Sequence, residues 1–342
     1  MKPPSSSRRM QPKLAVAETI ALVLFPLCLL VLICAINFPN EFHLHGMAKL
    51  GASVFAVAGH DTVTISTANQ QAPDFRLFMG ILTFADRYEE RHRLRLLHSL
   101  QPPVTARIDI KFVLCNLTSD EQRVLVALEI MRYDDIIIVH CWENMRKGKT
   151  YAYFSSLLRL LKDTEGDKPY DFVMKTDDDT FFRFPELVES LKNQPREDLY
   201  WGFQVPPMND VPSFMAGMGY VLSWDLVEWI AKSDIPRNNT IGPEDRTVAG
   251  WLRAGGKGKN VYSTQGARLN FDTKLVMYDY PYLPWTYVPN TISVHRLKDR
   301  KKWAETLSYF NFTAGVKPSK FYHGLQLDGF NYAHVFTLPS SR

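Results

Sequence analysis

Residues 170–180 read YDFVMKTDDDT, and this stretch decides the fold because an apolar strand ends there in three consecutive aspartates. Ligands of α/β sheets bind at the carboxyl ends of the strands. Carboxylate oxygens suit Mg²⁺ and Mn²⁺, and such a cation typically holds a diphosphate. The alternative is an acidic turn in solvent, but adjacent carboxylates repel one another unless a cation or protonation offsets that cost. The stretch therefore predicts a divalent metal site at the mouth of an α/β sheet.

Strand and helix patterns alternate on either side of this strand. Strands are predicted near Arg76–Thr83, Ile108–Cys115, Ile136–His140, Phe172–Thr176 and Leu199–Gln204, and helices near Tyr88–Leu100, Ser119–Arg132, Lys149–Leu161, Pro185–Leu191, Trp224–Ala231 and Pro243–Arg253. This alternation implies right-handed βαβ crossovers and a mostly parallel sheet. After Gln204 it loosens around Pro-rich turns and the Gly-bearing segment SFMAGMGYVLS, residues 213–223.

The helix predicted near Ser119–Arg132 carries the clearest local signals. Ser119 and Gln122 have the spacing of a capping box. One apolar stripe, of the kind that faces a protein core, is formed by Val124, Leu125, Leu128 and Met131.

Composition indicates a globular protein without a nucleic-acid partner. The chain has 342 residues, of which 46% are hydrophobic and 22% charged. Its formal net charge is +4, and the N-terminal residues Lys2, Arg8, Arg9 and Lys13 account for this excess. Because the rest of the chain is electrically balanced, it offers no basic face for phosphate backbones.

An uncharged apolar run from Ile20 to Phe38 has about the length needed to cross a bilayer. Positive residues precede it, so the positive-inside rule predicts a type II membrane protein. The expected organisation is a cytosolic tail (1–19), a signal anchor (20–38), a stem (39–73) and a lumenal domain (74–342). A cleaved signal peptide is the alternative, although its apolar region is usually about 7–15 residues long.

Three sequons, at Asn116, Asn238 and Asn311, become usable glycosylation sites if the domain is lumenal. Two of the four cysteines lie in the apolar run, and the other two are Cys115 and Cys141. An oxidising lumen permits a disulfide between them, but two buried free thiols are the interpretation that the sequence alone favours.

Seven segments occur in a recognisable order: FVLCNLTSDE, YDDIIIV, KGKT, DFVMKTDDDTFFR, FMAGMGYVLS, PEDRTVAGWL and ISVH. Together they resemble glycosyltransferase family 31, the β-1,3-galactosyltransferase group, over about residues 75–303. The resemblance implies a GT-A-like nucleotide-sugar-binding fold, a UDP-sugar donor, inversion at the anomeric carbon and a Golgi membrane location. It also implies Mn²⁺ dependence, with Mg²⁺ as the alternative cofactor.

The resemblance assigns a metal-binding group. Asp179 is the expected direct ligand, and Asp177 and Asp178 contact the metal through water, the ribose or the donor sugar. His295, in the run ISVH, matches the late histidine of the family and completes the group of Asp177, Asp179 and His295. A lone histidine on a strand is otherwise more often a structural residue.

Two acidic residues open the helix that follows Pro243. Capping is one interpretation of Glu244 and Asp245, because carboxylates are favourable at helix N-termini. The family resemblance implies another: Asp245 is the expected general base for the acceptor hydroxyl, and Glu244 is expected to orient a sugar. The chain departs from the family where Arg246 replaces a valine and Gly250 comes one position late.

Donor binding is expected to involve a basic helix face. Arg87, Arg91 and Arg95 recur every four residues, which also fits a solvated basic face. By resemblance, Arg91 and Arg95 lie near the uracil and the diphosphate, although the tryptophan of the family is replaced in the run LLH at 96–98. Lys175 and Asp178 are also expected to bind the donor. A further family position, Lys149–Thr150, has no defined role.

Sugar contacts are expected from the glycine-bearing segment and its neighbour. Gly217 would let the backbone approach a sugar, and Trp201 and Tyr220 would offer ring faces. Aromatic residues at strand spacing are otherwise more often part of the core.

The sequence thus predicts a Golgi type II hexosyltransferase that moves a sugar, with galactose favoured, from a UDP-sugar to a hydroxyl of a glycan or glycoprotein in β-1,3 linkage. Transfer of N-acetylglucosamine or another hexose by the same fold is one alternative. A catalytically silent, membrane-tethered protein that binds sugar or metal is the other.

Overall fold

The computed structural model describes residues 72–161, 168–264, 276–279 and 290–312, all within the compact unit His60–Arg342. The predicted cytosolic tail, the membrane anchor and nearly all of the stem lie outside these residues. Within the described ranges, no helix combines the length and the apolar character needed to cross a membrane.

Strands and helices alternate as the sequence predicts. The strands of the described residues are β1 (Arg76–Leu82), β2 (Arg107–Leu114), β3 (Ile136–Ile138), β4 (Phe172–Asp177), β5 (Phe181–Phe182), β6 (Leu199–Val205), β7 (Phe214–Ser223), β8 (Asn260–Ser263), β9 (Val276–Asp279) and β10 (Thr291–His295). The helices are α1 (Tyr88–Ser99), α2 (Asp120–Tyr133), α3 (Lys149–Leu160), α4 (Phe184–Leu191), α5 (Trp224–Lys232), α6 (Asp234–Asn238), α7 (Glu244–Ala254) and α8 (Arg300–Tyr309).

A seven-stranded sheet has the order β3-β2-β1-β4-β7-β6-β8. Neighbours are parallel except at β7, which pairs antiparallel with both β4 and β6. The prediction of an α/β fold with a mostly parallel central sheet is therefore confirmed. A second sheet of three strands has the order β5-β10-β9.

Both faces of the central sheet are buried, as expected when helices cover a parallel sheet on both sides. In β1, Leu77 belongs to one apolar core, and the next residue, Phe78, belongs to the other. Helices α1 and α4 contribute to the first core, and α3, α5 and α7 contribute to the second. The sheet is thereby held rigidly, with the carboxyl ends of its parallel strands available for a site.

Segment 213–223, which the sequence left without an assigned element, is mostly a long strand. Its residues Phe214–Ser223 form β7 and insert between β4 and β6. The pairing places Tyr220 opposite Lys175 and Gly219 opposite Thr176. The strand therefore lies beside the stretch that ends in the aspartates.

Helix α2 begins as predicted but turns its apolar stripe outward. The Ser119 hydroxyl accepts a hydrogen bond from the Gln122 backbone N–H, which confirms the N-cap. The residues that the helix buries are Val126 and Glu129, and the predicted apolar stripe faces solvent. The predicted core-facing stripe was wrong, because buried ion pairs to Glu129 set the orientation of the helix. Exposed side chains of the stripe are Val124, Leu125, Leu128 and Met131.

The favoured prediction of two free thiols was also wrong. Cys115 and Cys141 form a disulfide, with their Cα atoms 5.0 Å apart. Parallel pairing sets Leu114 of β2 beside Ile138 of β3. The two cysteines follow these neighbouring strand ends and are therefore close enough to bond.

Candidate active site

The aspartates and the late histidine meet where the two sheets approach each other. Asp177 ends β4, Asp179 lies in the turn that follows, and His295 ends β10. The chain after the turn forms β5, which pairs antiparallel with β10 and brings the two segments together. The His295 Nε2 atom lies 3.3 Å from an Asp179 oxygen and 3.8 Å from an Asp177 oxygen.

These three side chains form a group of the right chemistry for a divalent metal ion. Each offers one ligand atom, and the three atoms lie within 4.8 Å of one another. Carboxylate oxygens with one imidazole nitrogen are a donor set compatible with Mn²⁺. Burial alone would raise the pKa of Asp179, but its hydrogen bond with His295 and the nearby positive charges lower that pKa overall. Asp179 is therefore predisposed to act as an anionic ligand.

Asp178 points to the other side of the turn. Its carboxylate accepts a hydrogen bond from the Thr83 hydroxyl at 2.6 Å and pairs with Arg87 at 2.7 Å. Burial raises its pKa, although Thr83 and Arg87 oppose that rise. Both oxygens of Asp178, for which a donor-binding role was predicted, thus already bind protein groups: Thr83, which follows β1, and Arg87, which precedes α1. Thr83, which the sequence analysis overlooked, helps fix the conformation of the turn.

Lys175 connects the metal-binding group to the helix that carries the candidate base. Its fully buried ammonium donates to an Asp177 oxygen at 2.8 Å, to the Gly217 carbonyl at 2.8 Å and to a Glu244 oxygen at 2.5 Å. Desolvation alone would lower the pKa of Lys175, but the charges of Asp177 and Glu244 raise it overall. Lys175 is therefore a fixed cation between two carboxylates.

Glu244 is the member of the acidic pair that is held by buried partners, and its side chain is 10% exposed. Its second oxygen accepts a hydrogen bond from the Tyr220 hydroxyl at 3.0 Å. Burial raises the pKa of Glu244, and Lys175 opposes this. The N-terminus of α7 has no side-chain cap hydrogen bond, so the capping interpretation does not describe Glu244. Its carboxylate is directed towards Lys175 instead.

Asp245 lies one residue further along α7 and is half-buried. Its carboxylate accepts a hydrogen bond from the adjacent Arg246 backbone N–H at 2.8 Å. The two acidic residues thus differ in their partners: Glu244 is held by Lys175 and Tyr220, whereas the Asp245 carboxylate bonds to the backbone of its own helix.

Gly217 allows this arrangement because it lacks a side chain. A Cβ atom there would lie 2.6 Å from the Glu244 Oε1 atom and 3.3 Å from Lys175 Nζ. The first distance is too short for any real contact. The close approach at Gly217 is to protein groups, and the predicted approach of its backbone to a sugar stays a prediction.

Arg91 and Arg95 lie in a buried ion-pair network between α1 and α2. Arg91 pairs with Glu129, and Arg95 pairs with both Glu129 and Asp135. The side chains of the two arginines are 1% and 7% exposed, so the interpretation as a solvated basic face was wrong. Because their donors are used within the protein, the geometry gives no support to the predicted contacts with uracil and diphosphate.

Buried lysine and aromatic side chains occupy other predicted positions. Lys149 donates to the Thr83 carbonyl and pairs with Glu143. Trp201 is completely buried and donates to the Ser190 hydroxyl, so its ring cannot offer a face to a sugar. Tyr220 is equally buried. The structure corrects the prediction for both aromatic residues, because β6 and β7 are internal strands of the sheet.

All three predicted glycosylation sites lie on the surface. Asn116 follows β2, Asn238 ends α6, and Asn311 follows α8. The side chains of these three residues are exposed.

Comparison with known proteins shows that the chain is similar to sugar transferases. The family model described as Galactosyltransferase matches residues 98–206. A UDP-GalNAc:beta-1,3-N-acetylgalactosaminyltransferase 2 from Xenopus tropicalis is 28% identical over 152 residues, which are 40% of this chain and 30% of that relative. The beta-1,3-galactosyltransferase pvg3 of Schizosaccharomyces pombe is 23% identical over 292 residues, 68% of this chain and 74% of the relative.

A human lactosylceramide 1,3-N-acetyl-beta-D-glucosaminyltransferase is 24% identical over 208 residues, 51% of this chain and 53% of the relative. The names of these relatives specify three different transferred sugars. The three names share a 1,3 linkage and the transfer of a sugar.

Proposed function

We propose that this chain is a member of glycosyltransferase family 31, which the matched family model and the similar relatives support, and that it transfers a hexose from a UDP-sugar to an acceptor hydroxyl. The observation that carries the proposal is the convergence of Asp177, Asp179 and His295, with Lys175 joining this group to Glu244. A protein that only bound sugar would not need a metal-binding group linked to a pair of acidic residues on a neighbouring helix.

The metal-binding group would act on the leaving diphosphate. Asp177, Asp179 and His295 would hold Mn²⁺ or Mg²⁺, which supplies Lewis-acid stabilisation of the charge on the departing UDP. Asp178 stays outside this group, fixed by Thr83 and Arg87. It holds the turn in shape, so that Asp179 and His295 keep their separation.

The acidic pair would serve the acceptor. The acceptor oxygen forms a bond to the anomeric carbon, the bond from that carbon to the diphosphate oxygen breaks, and the hydroxyl proton passes to a carboxylate. Asp245 is our candidate for this base because it is partly accessible and follows the fixed Glu244 directly. Glu244, held by Lys175 and Tyr220, orients the start of α7 and a sugar near it.

The finer features of the proposal rest on the family. We propose a GT-A-like fold, galactose as the sugar, a β-1,3 linkage formed with inversion, and Mn²⁺ as the preferred metal. Transfer of N-acetylhexosamine is the alternative, since the relatives include enzymes named for N-acetylgalactosamine and N-acetylglucosamine.

Release of UDP from a panel of UDP-hexoses tests this function. The full chain is incubated with each donor, with and without Mn²⁺ and with mixed glycan acceptors. We expect metal-dependent release that acceptors stimulate, and the greatest rate with UDP-galactose. Binding of UDP-sugars without release from any donor would show a catalytically silent protein and refute the proposal.

We also propose that the chain is a type II Golgi membrane protein with the described domain in the lumen. At least one of Asn116, Asn238 and Asn311 should then carry a glycan in eukaryotic cells, seen as a mass shift on glycosidase treatment. Digestion of the whole domain by protease added from the cytosolic side of sealed vesicles would refute this orientation.

A further inference from the structure

A surface groove beside helix α3 is not used by the site described above. It has a volume of about 690 Å³ and is called the Trp142 groove here. The residues of its wall used in the argument are Asn116, His140, Trp142, Lys147, Tyr151 and Arg159. The disulfide between Cys115 and Cys141 ties two parts of this wall together, because these cysteines precede Asn116 and Trp142.

Trp142 is the most unusual member of the groove. Trp142 is 82% exposed, whereas the average tryptophan in a folded protein is largely buried. A flat apolar ring with one polar N–H group is suited to cover the apolar face of a sugar ring. An exposed aromatic side chain on the wall of a groove therefore indicates a saccharide site.

The charge of the groove limits the kind of saccharide. Lys147 and Arg159 are both exposed on its wall. No aspartate or glutamate lines it among the described residues. The groove therefore presents positive charge, which favours a ligand with an anionic group.

The groove is connected to the segment that leads into the candidate base. Thr240 lines the groove, and Lys147 pairs with Ile241 in an isolated antiparallel bridge. The Gly242 backbone N–H donates to the Arg146 carbonyl at 3.0 Å. Helix α7 begins two residues later with Glu244 and Asp245, so the groove borders the segment that leads into the candidate base.

We propose that the Trp142 groove binds the acceptor saccharide and selects one that carries an acidic group. This inference rests on the proposed transferase function. Trp142 would cover a sugar ring, and Lys147 and Arg159 would pair with a carboxylate, a sulfate ester or a phosphate ester. The shared chemistry is an anionic oligosaccharide.

Direct binding to immobilised oligosaccharides tests the groove independently of turnover. Neutral chains are compared with chains of equal length that carry a uronic acid, a sulfate or a phosphate, and these arms distinguish the source of the charge. The full chain should bind at least one acidic series about tenfold more tightly than the neutral one, as expected for one added ion pair in a partly desolvated groove.

Matched variants locate the binding. Trp142→Ala should weaken binding about tenfold through loss of one stacked ring, and Trp142→Tyr should restore most of it. Met131→Ala, which removes another highly exposed apolar side chain, should leave binding unchanged. Lys147→Glu should abolish the preference for acidic chains, whereas Lys301→Glu, on distant helix α8, should retain it.

The outcomes separate this inference from the proposed function. Equal binding of acidic and neutral chains, or binding unaffected by Trp142→Ala, overturns the groove proposal even if UDP is released. If Trp142→Ala changes only the processing of the glycan on Asn116, the groove holds the protein's own glycan. That result also overturns the groove proposal. Trp142-dependent binding of acidic chains without release of UDP from any donor supports the groove and refutes the transferase function.

Discussion

Replacement of Gly217 by alanine should disable the site without disturbing its metal ligands directly. The new Cβ would lie 2.6 Å from Glu244 Oε1. To reach ordinary van der Waals separation, the carboxylate must retreat by about 0.8 Å. Such a shift stretches its short hydrogen bond with Lys175 from 2.5 Å to as much as about 3.3 Å, beyond the usual range for a strong bond, and the new Cβ would also crowd Lys175 Nζ.

Two magnitudes follow. Loss of one hydrogen bond between charged groups costs about 1.5–3 kcal/mol in the free energy of unfolding. A misplacement of about 1 Å in a catalytic arrangement costs about 10²-fold in rate. We therefore expect Gly217→Ala to fold, to lose about 2 kcal/mol of stability and to reduce kcat about 100-fold.

The assay measures transfer rate, affinity for UDP with Mn²⁺ by calorimetry, and unfolding in urea. Gly250→Ala is the matched control, since its Cβ would meet no atom within 4 Å. This control should retain the parent rate and gain about 0.5–1 kcal/mol of stability, as expected for glycine replaced within a helix. Parent-like turnover of Gly217→Ala at parent stability would refute the view that the position of Glu244 matters.

Three further predictions concern the metal, the base and pH. Asp179→Asn should leave the domain folded but weaken binding of UDP with Mn²⁺ and abolish turnover, and calorimetry showing parent affinity would exclude this residue as a ligand. Asp245→Asn should reduce turnover about 10²–10⁴-fold with UDP affinity and melting temperature retained; if Glu244→Gln alone has this pattern, the base is Glu244. Burial lowers the pKa of His98 to about 3 in the folded protein, against about 6.5 in the unfolded chain. Below about pH 6.5 the unfolded chain therefore binds a proton that the folded protein does not, and this favours unfolding. The free energy of unfolding should drop by about 2 kcal/mol from about pH 7 to about pH 5 through this group, and urea titrations should show a shallower dependence for His98→Phe.

Much of the fold follows from local patterns in the sequence. The alternation of strands and helices up to Gln204 depends on side chains within each element, so its boundaries were predicted to within a few residues. Pro185 occurs in the first turn of α4 as expected, because its fixed φ suits that position. The run of three aspartates that begins at the end of β4 likewise predicted where Asp177 and Asp179 lie, and the structure brings His295 beside them.

The main errors concern elements whose identity depends on distant partners. Strand β7 contains Gly217 and Gly219, which weaken a strand pattern, and it is stabilised by pairing with β4 and β6. The orientation of α2 depends on Glu129, which meets Arg91 from 38 residues away. A helical period shows which residues share a face, but it does not show which face will be buried through an ion pair with a distant residue.

The sequence by itself determined the class of the fold, the acidic turn and the resemblance to a transferase family, because these depend on local periodicity and on the order of short motifs. Only the tertiary structure decided which carboxylates work together. Lys175 and Glu244 are 69 residues apart in the sequence, and β7 brings the Gly217 carbonyl to Lys175 and the Tyr220 hydroxyl to Glu244. Whether a charged side chain binds a ligand or a protein partner depends on such long-range contacts, since a buried charge is stable only beside the group that compensates it.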